Sequence, residues 1–214
     1  MLKLIKSIGR GEKVKVNKLL KLRINYTIFM IIFFIIMYKG AEFYTYTVEN
    51  VPSYFMEWER NIPFLPIFML PYMTSAPFFL VTIFFEKDEY SLKLLMKRAI
   101  FLTVVSITIF ILFPMKFYFT KPEIDNQIFK ILFYILGLLD SNFNQCPSLH
   151  VSFAFLSNIV YYREIKNKFL KYFLCFWGFL LAISVLFVYQ HHFIDLVGGT
   201  LLFVISCVIF QRKK

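Results

Sequence analysis

The chain has 214 residues, of which 59% are hydrophobic, 21% aromatic and only 17% charged. Soluble domains carry roughly a quarter charged residues and about half apolar ones, so this composition excludes an ordinary soluble protein. The net charge of +11 does not indicate nucleic-acid binding, because the basic residues alternate with apolar segments instead of covering one polar face. The sequence therefore predicts an integral membrane protein.

Six apolar segments have the length and composition expected of helices that cross a hydrocarbon layer about 30 Å thick. In chain order they cover residues 24–38, 64–85, 99–114, 150–162, 169–189 and 193–210. A seventh apolar run, 131–139, is too short to cross and is interpreted as a re-entrant or interfacial piece. We expect an all-α membrane helix bundle with about six transmembrane helices, a single domain at 24–214 that follows a basic arm at 1–23.

Lysine and arginine residues predict the orientation, because cytoplasmic loops are enriched in them. With both termini in the cytoplasm, 19 of the 24 basic residues fall on the cytoplasmic side. The arm could also bind anionic lipid headgroups, although its role as an orientation signal is sufficient. The first outer loop, 39–62, is acidic and ends in aromatic residues that are typical of the membrane interface.

All three histidines lie in two segments of the predicted outer side, Cys-Pro-Ser-Leu-His at 146–150 and Gln-His-His-Phe-Ile-Asp at 190–195. His191 and Asp195 are four residues apart and share a helix face. The carboxylate can accept a hydrogen bond from one imidazole nitrogen and leave the other as a nucleophile or base. Alternatively, Asp195 is only an acid at the start of the last helix and the histidine is inert.

Ser148 follows a proline and precedes an apolar run, a pattern that predicts a helix N-cap. A helix N-terminus has free backbone N–H groups and the positive end of the helix dipole, so it is suited to phosphate. His150 comes two residues later, and Lys116 and Lys121 add cations on the same side. Either lysine alone is more commonly explained as a snorkelling side chain, whose ammonium group reaches the water at the end of a transmembrane span.

Together these residues resemble the type 2 phosphatidic acid phosphatase (PAP2) superfamily, through Pro-Ser-Leu-His at 147–150 and His191 to Asp195. The segment Asn-Gln-Cys-Pro-Ser-Leu-His at 144–150 is most similar to the branch of inositol phosphorylceramide and sphingomyelin synthases and some bacterial PAP2 membrane phosphatases. The likeness extends from about residue 58 to residue 210, with the core motifs at 114–200.

The resemblance implies a hydrolase that removes phosphate from a lipid phosphate or pyrophosphate through a phosphohistidine, at the extracytoplasmic face. It implies His191 as the nucleophile, Asp195 as its orienting partner and His150 as the general acid and base. His192 occupies a variable position, and sequence alone does not separate it from His191. The phosphate-binding residues would be Lys116, Lys121 and Ser148; neither a metal nor another cofactor is implied.

Two departures from the family pattern concern the phosphate clamp. The first motif, Lys, six residues, then Arg-Pro, is here Lys116, four residues, then Lys121 and a proline. The arginine of the third motif is replaced by Val185. Lysines are point charges and lack the forked geometry of arginine, so the resemblance implies a weak or altered activity. Leu149 also replaces the usual glycine of the second motif.

Several alternatives remain open at this stage. The same intermediate can be intercepted by a lipid or sugar hydroxyl, which would make the protein a phosphotransferase. A metal site, suited to zinc, is conceivable from His150, His191, His192 and Asp195. A third alternative is a transporter or non-catalytic membrane scaffold. A cysteine phosphatase is excluded, because the residue six after Cys146 is Ser152 and not arginine.

The expected partners are the lipid bilayer and a membrane lipid phosphate, with no nucleic acid. The expected location is a bacterial cytoplasmic membrane, with the site facing outward. The sequence specifies neither the lipid nor the oligomeric state.

Overall fold

A computed structural model describes the backbone of residues 2–212 and the side chains of residues 18–212. Eight α-helices account for most of the described chain, and two short 3-10 helices, Glu57–Asn61 and Pro66–Phe68, lie between the first two. The α-helices are α1 (Leu2–Thr45), α2 (Met69–Met73), α3 (Ser75–Phe85), α4 (Glu89–Leu112), α5 (Gln127–Leu139), α6 (Leu149–Glu164), α7 (Lys168–Phe187) and α8 (Phe193–Ile209). No β-strand occurs in the described part of the chain, which confirms the all-α class.

Four helical segments are long and apolar enough to cross a membrane: Lys18–Thr45, Pro66–Phe85, Glu89–Leu112 and Lys168–Phe187. The second of these combines a 3-10 turn with α2 and α3. Helices α6 and α8 are shorter, with 16 and 17 residues, so the predicted count of six crossings stays a prediction. Helix α1 runs across the predicted boundary at residue 23, which also stays a prediction.

The helix boundaries follow local capping. Helix α4 begins at Glu89, ten residues before the predicted span, because the Asp88 side chain accepts a hydrogen bond from the backbone N–H of Ser91 at 2.8 Å. Helix α5 begins at Gln127, where Asn126 accepts from the N–H of Ile128 at 2.9 Å. The short apolar run predicted at 131–139 is therefore the C-terminal part of a 13-residue helix.

Helix α6 lies at the centre of the bundle and packs against α3, α4, α7 and α8. Its polar side chains bond to neighbouring helices: Tyr161 donates to the carbonyl of Phe78 at 2.6 Å, and Ser152 to that of Gly199 at 2.8 Å. Such pairing is needed where no water is present. The outer faces of α1 and α8 instead expose apolar side chains such as Ile36. This arrangement fits an integral membrane protein.

Charged residues gather at one end of the bundle. Arg163 pairs with Glu86, and Lys87 lies 2.9 Å from the carboxylate of Glu164. Arg98 donates to the carbonyl of Phe210 at 2.7 Å, so the end of α8 lies at the same end of the bundle. The grouping matches the segments that the sequence assigns to one membrane side, and the histidines lie at the starts of α6 and α8, at the opposite end.

Candidate active site

The starts of α6 and α8 lie side by side and bring the two histidine segments together. The backbone N–H of Ser148 donates to the carbonyl of Asp195 at 3.0 Å. One turn further along α8, a Cβ atom at Gly199 would stand only 2.4 Å from the carbonyl oxygen of Ser148. The absence of a side chain at Gly199 therefore permits this close approach of the two helices.

His191 and Asp195 lie next to each other, as their spacing predicts. Nδ1 of His191 is 3.4 Å from Oδ2 of Asp195, a distance that suits an ion pair with a protonated imidazole. It is not a hydrogen bond, because Nδ1 has no hydrogen-bond partner among the described residues. The same carboxylate oxygen accepts from the N–H of His192 at 2.8 Å and so caps α8. Asp195 therefore caps the N-terminus of α8 and also lies beside the imidazole of His191.

His150 faces His191 from the first turn of α6. The centroids of the two imidazole rings are 5.8 Å apart in an edge-on arrangement. The other neighbour of His150 is Tyr72 of α2, whose ring stacks on the imidazole at 4.5 Å. His150 is only partly buried, whereas His191 is 5% exposed. The two histidines named from sequence are therefore brought together at one site.

His192 has a different environment from its neighbour. Its Nε2 accepts a hydrogen bond from the N–H of Tyr118 at 3.1 Å, so Nδ1 carries the proton and donates to Glu59 at 3.0 Å. Its ring stacks on Phe117 at 4.3 Å and on Phe55 at 5.6 Å. Both ring nitrogens are occupied, so His192 connects the loop before α2 to the loop after α4 and has no nitrogen left for another partner.

Glu59 is a residue that the sequence reasoning missed. It is 2% exposed and also accepts a hydrogen bond from the N–H of Phe193 at 3.1 Å, so it holds the start of α8 from the loop between α1 and α2. The acidic character of that loop is the signal that the sequence offers for Glu59. Nothing in the local pattern indicates its partner, which lies 133 residues away.

Several buried polar atoms near the histidines have no hydrogen-bond partner among the described residues. They are the two side-chain polar atoms of Asn144, Oε1 of Gln145, Oγ of Ser148 and Nδ1 of His191. Ser148 occupies the predicted N-cap position of α6, but its hydroxyl does not bond to the helix. An unpaired buried polar group costs about 1–3 kcal/mol, so a concentration of such groups is expected where a polar ligand binds.

The lysines predicted to hold phosphate differ in their surroundings. Lys121 is partly buried, and burial lowers the pKa of its ammonium group while Asp140 acts in the opposite direction. Lys116 is exposed, and no contact of its side chain with the histidines is seen in the described chain. Its backbone N–H donates to the carbonyl of Pro52 at 2.9 Å. The phosphate-binding role of both lysines stays a prediction.

Asp140, directly after α5, is the second residue that the sequence reasoning missed. Its two carboxylate oxygens accept hydrogen bonds from the hydroxyls of Tyr38 and Tyr72, and one also accepts from the N–H of Ser141 at 2.9 Å. Its side chain is partly accessible because it lines a cavity, as His150 does. No local motif marks this aspartate, since its partners come from α1 and α2.

The cavity has a volume of about 440 Å³ and lies between α1, α2, α3, α5 and α6. Apart from the polar groups of Tyr38, Tyr72, Ser75, Asp140 and His150, its walls are apolar. Ile31, Ile35 and Leu139 line it and are 40%, 55% and 60% exposed on the outside of the bundle. The cavity therefore reaches from His150 to the apolar outer surface of the bundle.

The arrangement of the described residues gives little support to a metal site or to a cysteine nucleophile. No group of three or more His, Cys, Asp or Glu side chains in the described residues has the arrangement of a metal site. The pKa of the Cys146 thiol is raised to about 12 by burial, with a smaller contribution from the charge of Asp195. A thiolate nucleophile is therefore disfavoured at Cys146.

A comparison with family models gives one match, the PAP2 superfamily, over residues 92–213. The match covers more than half of the chain and contains both histidine segments. No curated protein matches the chain. No solved structure matches it either.

Proposed function

Because the chain belongs to the PAP2 superfamily, we propose that it is a membrane lipid phosphatase that acts through a phosphohistidine on His191. The observation that carries this proposal is the pair His150 and His191, 5.8 Å apart, beside unpaired polar groups and at a cavity that reaches the lipid-facing surface. The substrate would be a lipid phosphate or pyrophosphate, and the segment at 144–150 favours the Pro-Ser-Leu-His branch.

In the first step, Nε2 of His191 attacks phosphorus while the bond from phosphorus to the lipid oxygen breaks. Asp195, 3.4 Å from Nδ1, stabilises the positive charge that develops on the imidazole. His150 gives its proton to the departing lipid oxygen, so that a neutral alcohol leaves. Positioning of the three groups supplies most of the catalysis expected for phosphoryl transfer.

In the second step, water attacks the phosphohistidine and the phosphorus–nitrogen bond breaks. His150, now neutral, takes a proton from that water, and inorganic phosphate leaves. The phosphate oxygens would be held by the Ser148 hydroxyl, the N–H groups at the start of α6, and Lys116 and Lys121. The substitution of lysine for arginine weakens the directional hold on these oxygens.

The location follows from the charge distribution. The basic segments form one end of the bundle, and in membrane proteins such segments face the cytoplasm. The site would then open on the extracytoplasmic side of a bacterial cytoplasmic membrane. The hydrocarbon part of the substrate would remain among apolar side chains while its phosphate reaches the histidines.

The test uses the full-length protein in lipid nanodiscs with a panel of lipid phosphates and pyrophosphates. We expect phosphate release and an acid-labile phosphoprotein in the wild type. His191→Ala should lose both, with turnover below about one-thousandth of the wild-type value. A wild type that forms no phosphoenzyme and releases no phosphate from any member of the panel would overturn the proposal.

His192→Ala is the matched control, because it removes the neighbouring imidazole. We expect a lower melting temperature, since two hydrogen bonds and a ring stack are lost, but phosphoenzyme formation in the folded fraction. If His192→Ala instead forms no phosphoenzyme while His191→Ala does, the nucleophile is His192. Addition of an acceptor alcohol separates hydrolysis from the alternative function, since a phosphotransferase yields the phosphorylated alcohol in place of free phosphate.

A further inference from the structure

Asp140 is a carboxylate in a largely apolar cavity, and the proposed reaction does not yet use it. Its oxygens are held by the hydroxyls of Tyr38 and Tyr72, which belong to two different helices. No lysine, arginine or histidine lies within ion-pair distance of it in the described part of the chain. Hydrogen bonds from neutral tyrosines fix its position and leave its negative charge without a partner cation.

The nearest groups able to carry a positive charge all belong to the candidate site. Desolvation raises the pKa of Asp140, but the charge of His150 and the hydrogen bonds from Tyr38 and Tyr72 outweigh it, so the pKa is lowered overall. A carboxylate that stays ionised in such surroundings favours a nearby cation. The titratable groups around the pair of Asp140 and His150 are Tyr38 of α1, Tyr72 of α2 and His191 before α8, and Lys121 of the loop after α4 interacts with Asp140.

Tyr72 connects Asp140 to His150 mechanically. Its hydroxyl donates to the carboxylate, and its ring stacks on the imidazole at 4.5 Å with 30° between the ring planes. Asp140 and His150 line the same cavity from α5 and α6. The carboxylate therefore limits the movement of the tyrosine, and the tyrosine ring limits the rotation of the imidazole.

We propose that Asp140 is a positioning residue that orients His150 and favours its protonated form for proton donation to the leaving lipid oxygen. The inference rests on the proposed function, because it gives the general acid its counter-charge. An aliphatic lipid alcohol is a poor leaving group without a proton, so the protonated state of His150 is needed at the first step. After that proton has left, the negative charge of Asp140 favours its recovery from the attacking water.

The first experiment measures the proton on His150 directly. The protein has three histidines, so NMR signals of labelled imidazoles in nanodiscs can be assigned with His191→Gln and His192→Gln variants. We expect the titration midpoint of His150 to move to lower pH by about one unit in Asp140→Asn, since a nearby opposite charge shifts such midpoints by one to three units. Asp140→Glu should restore most of the difference. An unchanged midpoint in Asp140→Asn overturns the proposal.

The second experiment separates a positioning role from a structural one. Asp140→Asn should lower kcat for a lipid phosphate by about tenfold or more and move the alkaline limb of its pH profile to lower pH. Turnover of an aryl phosphate whose acidic phenol leaves without a proton should change little. Equal losses on both substrates, with an unmoved alkaline limb, would show that Asp140 only supports the fold.

Glu86→Gln is the matched control, because it removes a buried carboxylate at the opposite end of the bundle. It should leave the alkaline limb and the ratio of the two substrates unchanged. The two proposals fail separately. A wild type without phosphate release overturns the proposed function, whereas the His150 midpoint in Asp140→Asn decides the role of Asp140 in either case.

Discussion

At the scale of single residues, the adjacent His191 and His192 show how much a local pattern reveals. The spacing of His191 and Asp195 predicts their proximity, and the side chains lie 3.4 Å apart. The same spacing argument leaves His192 as a rival, since it stands three residues before the same aspartate. The two are distinguished by Glu59 and the N–H of Tyr118, contacts across long stretches of chain that no local pattern predicts.

Lys121 is the residue for which a pH dependence follows. Burial lowers the pKa of its ammonium group, partly offset by the charge of Asp140. If Lys121 holds phosphate oxygens, KM for a lipid phosphate should begin to rise at a lower pH than it would with a lysine of ordinary pKa. The reason is that the deprotonated amine no longer attracts the anion. Lys121→Arg should abolish that rise, since a guanidinium remains charged throughout. The measurement is KM against pH for both proteins.

Removal of the charge provides the companion measurement. Lys121→Ala should lower kcat/KM by about one to two decades, the equivalent of roughly 1.5–3 kcal/mol for one charge-assisted contact. Lys130→Ala is the control, because Lys130 is an exposed residue of α5. A lower kcat/KM in Lys130→Ala, with no change in Lys121→Ala, would place the anion site elsewhere. The same assay measures whether the exposed Lys116 contributes.

At the scale of helices, the close packing of α6 and α8 determines the site. Gly199→Ala should separate them, because the new Cβ would meet the Ser148 carbonyl oxygen at 2.4 Å. We expect a loss of stability of about 1–3 kcal/mol and a larger loss of activity, since Ser148 and Asp195 would move apart. The measurements are thermal unfolding in detergent and phosphate release. Unchanged stability and unchanged phosphate release would show that α6 and α8 accommodate the extra methyl group without cost.

Gly137 of α5 provides the control for that substitution. A Cβ there meets nothing within 4 Å, and the residue is exposed. Gly137→Ala should therefore leave activity unchanged and leave stability equal or higher by up to about 1 kcal/mol, because alanine favours the helical backbone over glycine. The pair compares one added methyl group at a tight and at an open position.

The helices also show where sequence reasoning succeeds. Four of the six apolar runs coincide with helical segments long and apolar enough to cross a membrane, because long apolar segments are rare outside membranes. Helix α4 begins ten residues before the apolar span at 99–114, because Lys93, Lys97 and Arg98 interrupt the apolar pattern without interrupting the helix. The local sequence does not mark Asp140 for a related reason, because its partners Tyr38 and Tyr72 belong to other helices.

At the scale of the whole molecule, the two polar ends lead to a topology prediction. Single cysteines at Thr120 and Lys166, both exposed, would mark the site end and the basic end in a protein lacking Cys146, Cys175 and Cys207. With intact cells, an impermeant thiol reagent should label Thr120→Cys and leave Lys166→Cys unlabelled until the membrane is opened. The reverse pattern would invert the proposed orientation and place the site in the cytoplasm.

The lateral reach of the cavity has a kinetic consequence. If a lipid arrives at His150 past Ile31 and Ile35, it travels within the bilayer and never enters bulk water. The substrate concentration that determines the rate is then the mole fraction of the lipid substrate in the bilayer. Dilution of the substrate with inert phospholipid, at a constant amount per millilitre, should slow turnover whenever the site is unsaturated. For such an enzyme the composition of the surrounding membrane acts as a control on rate.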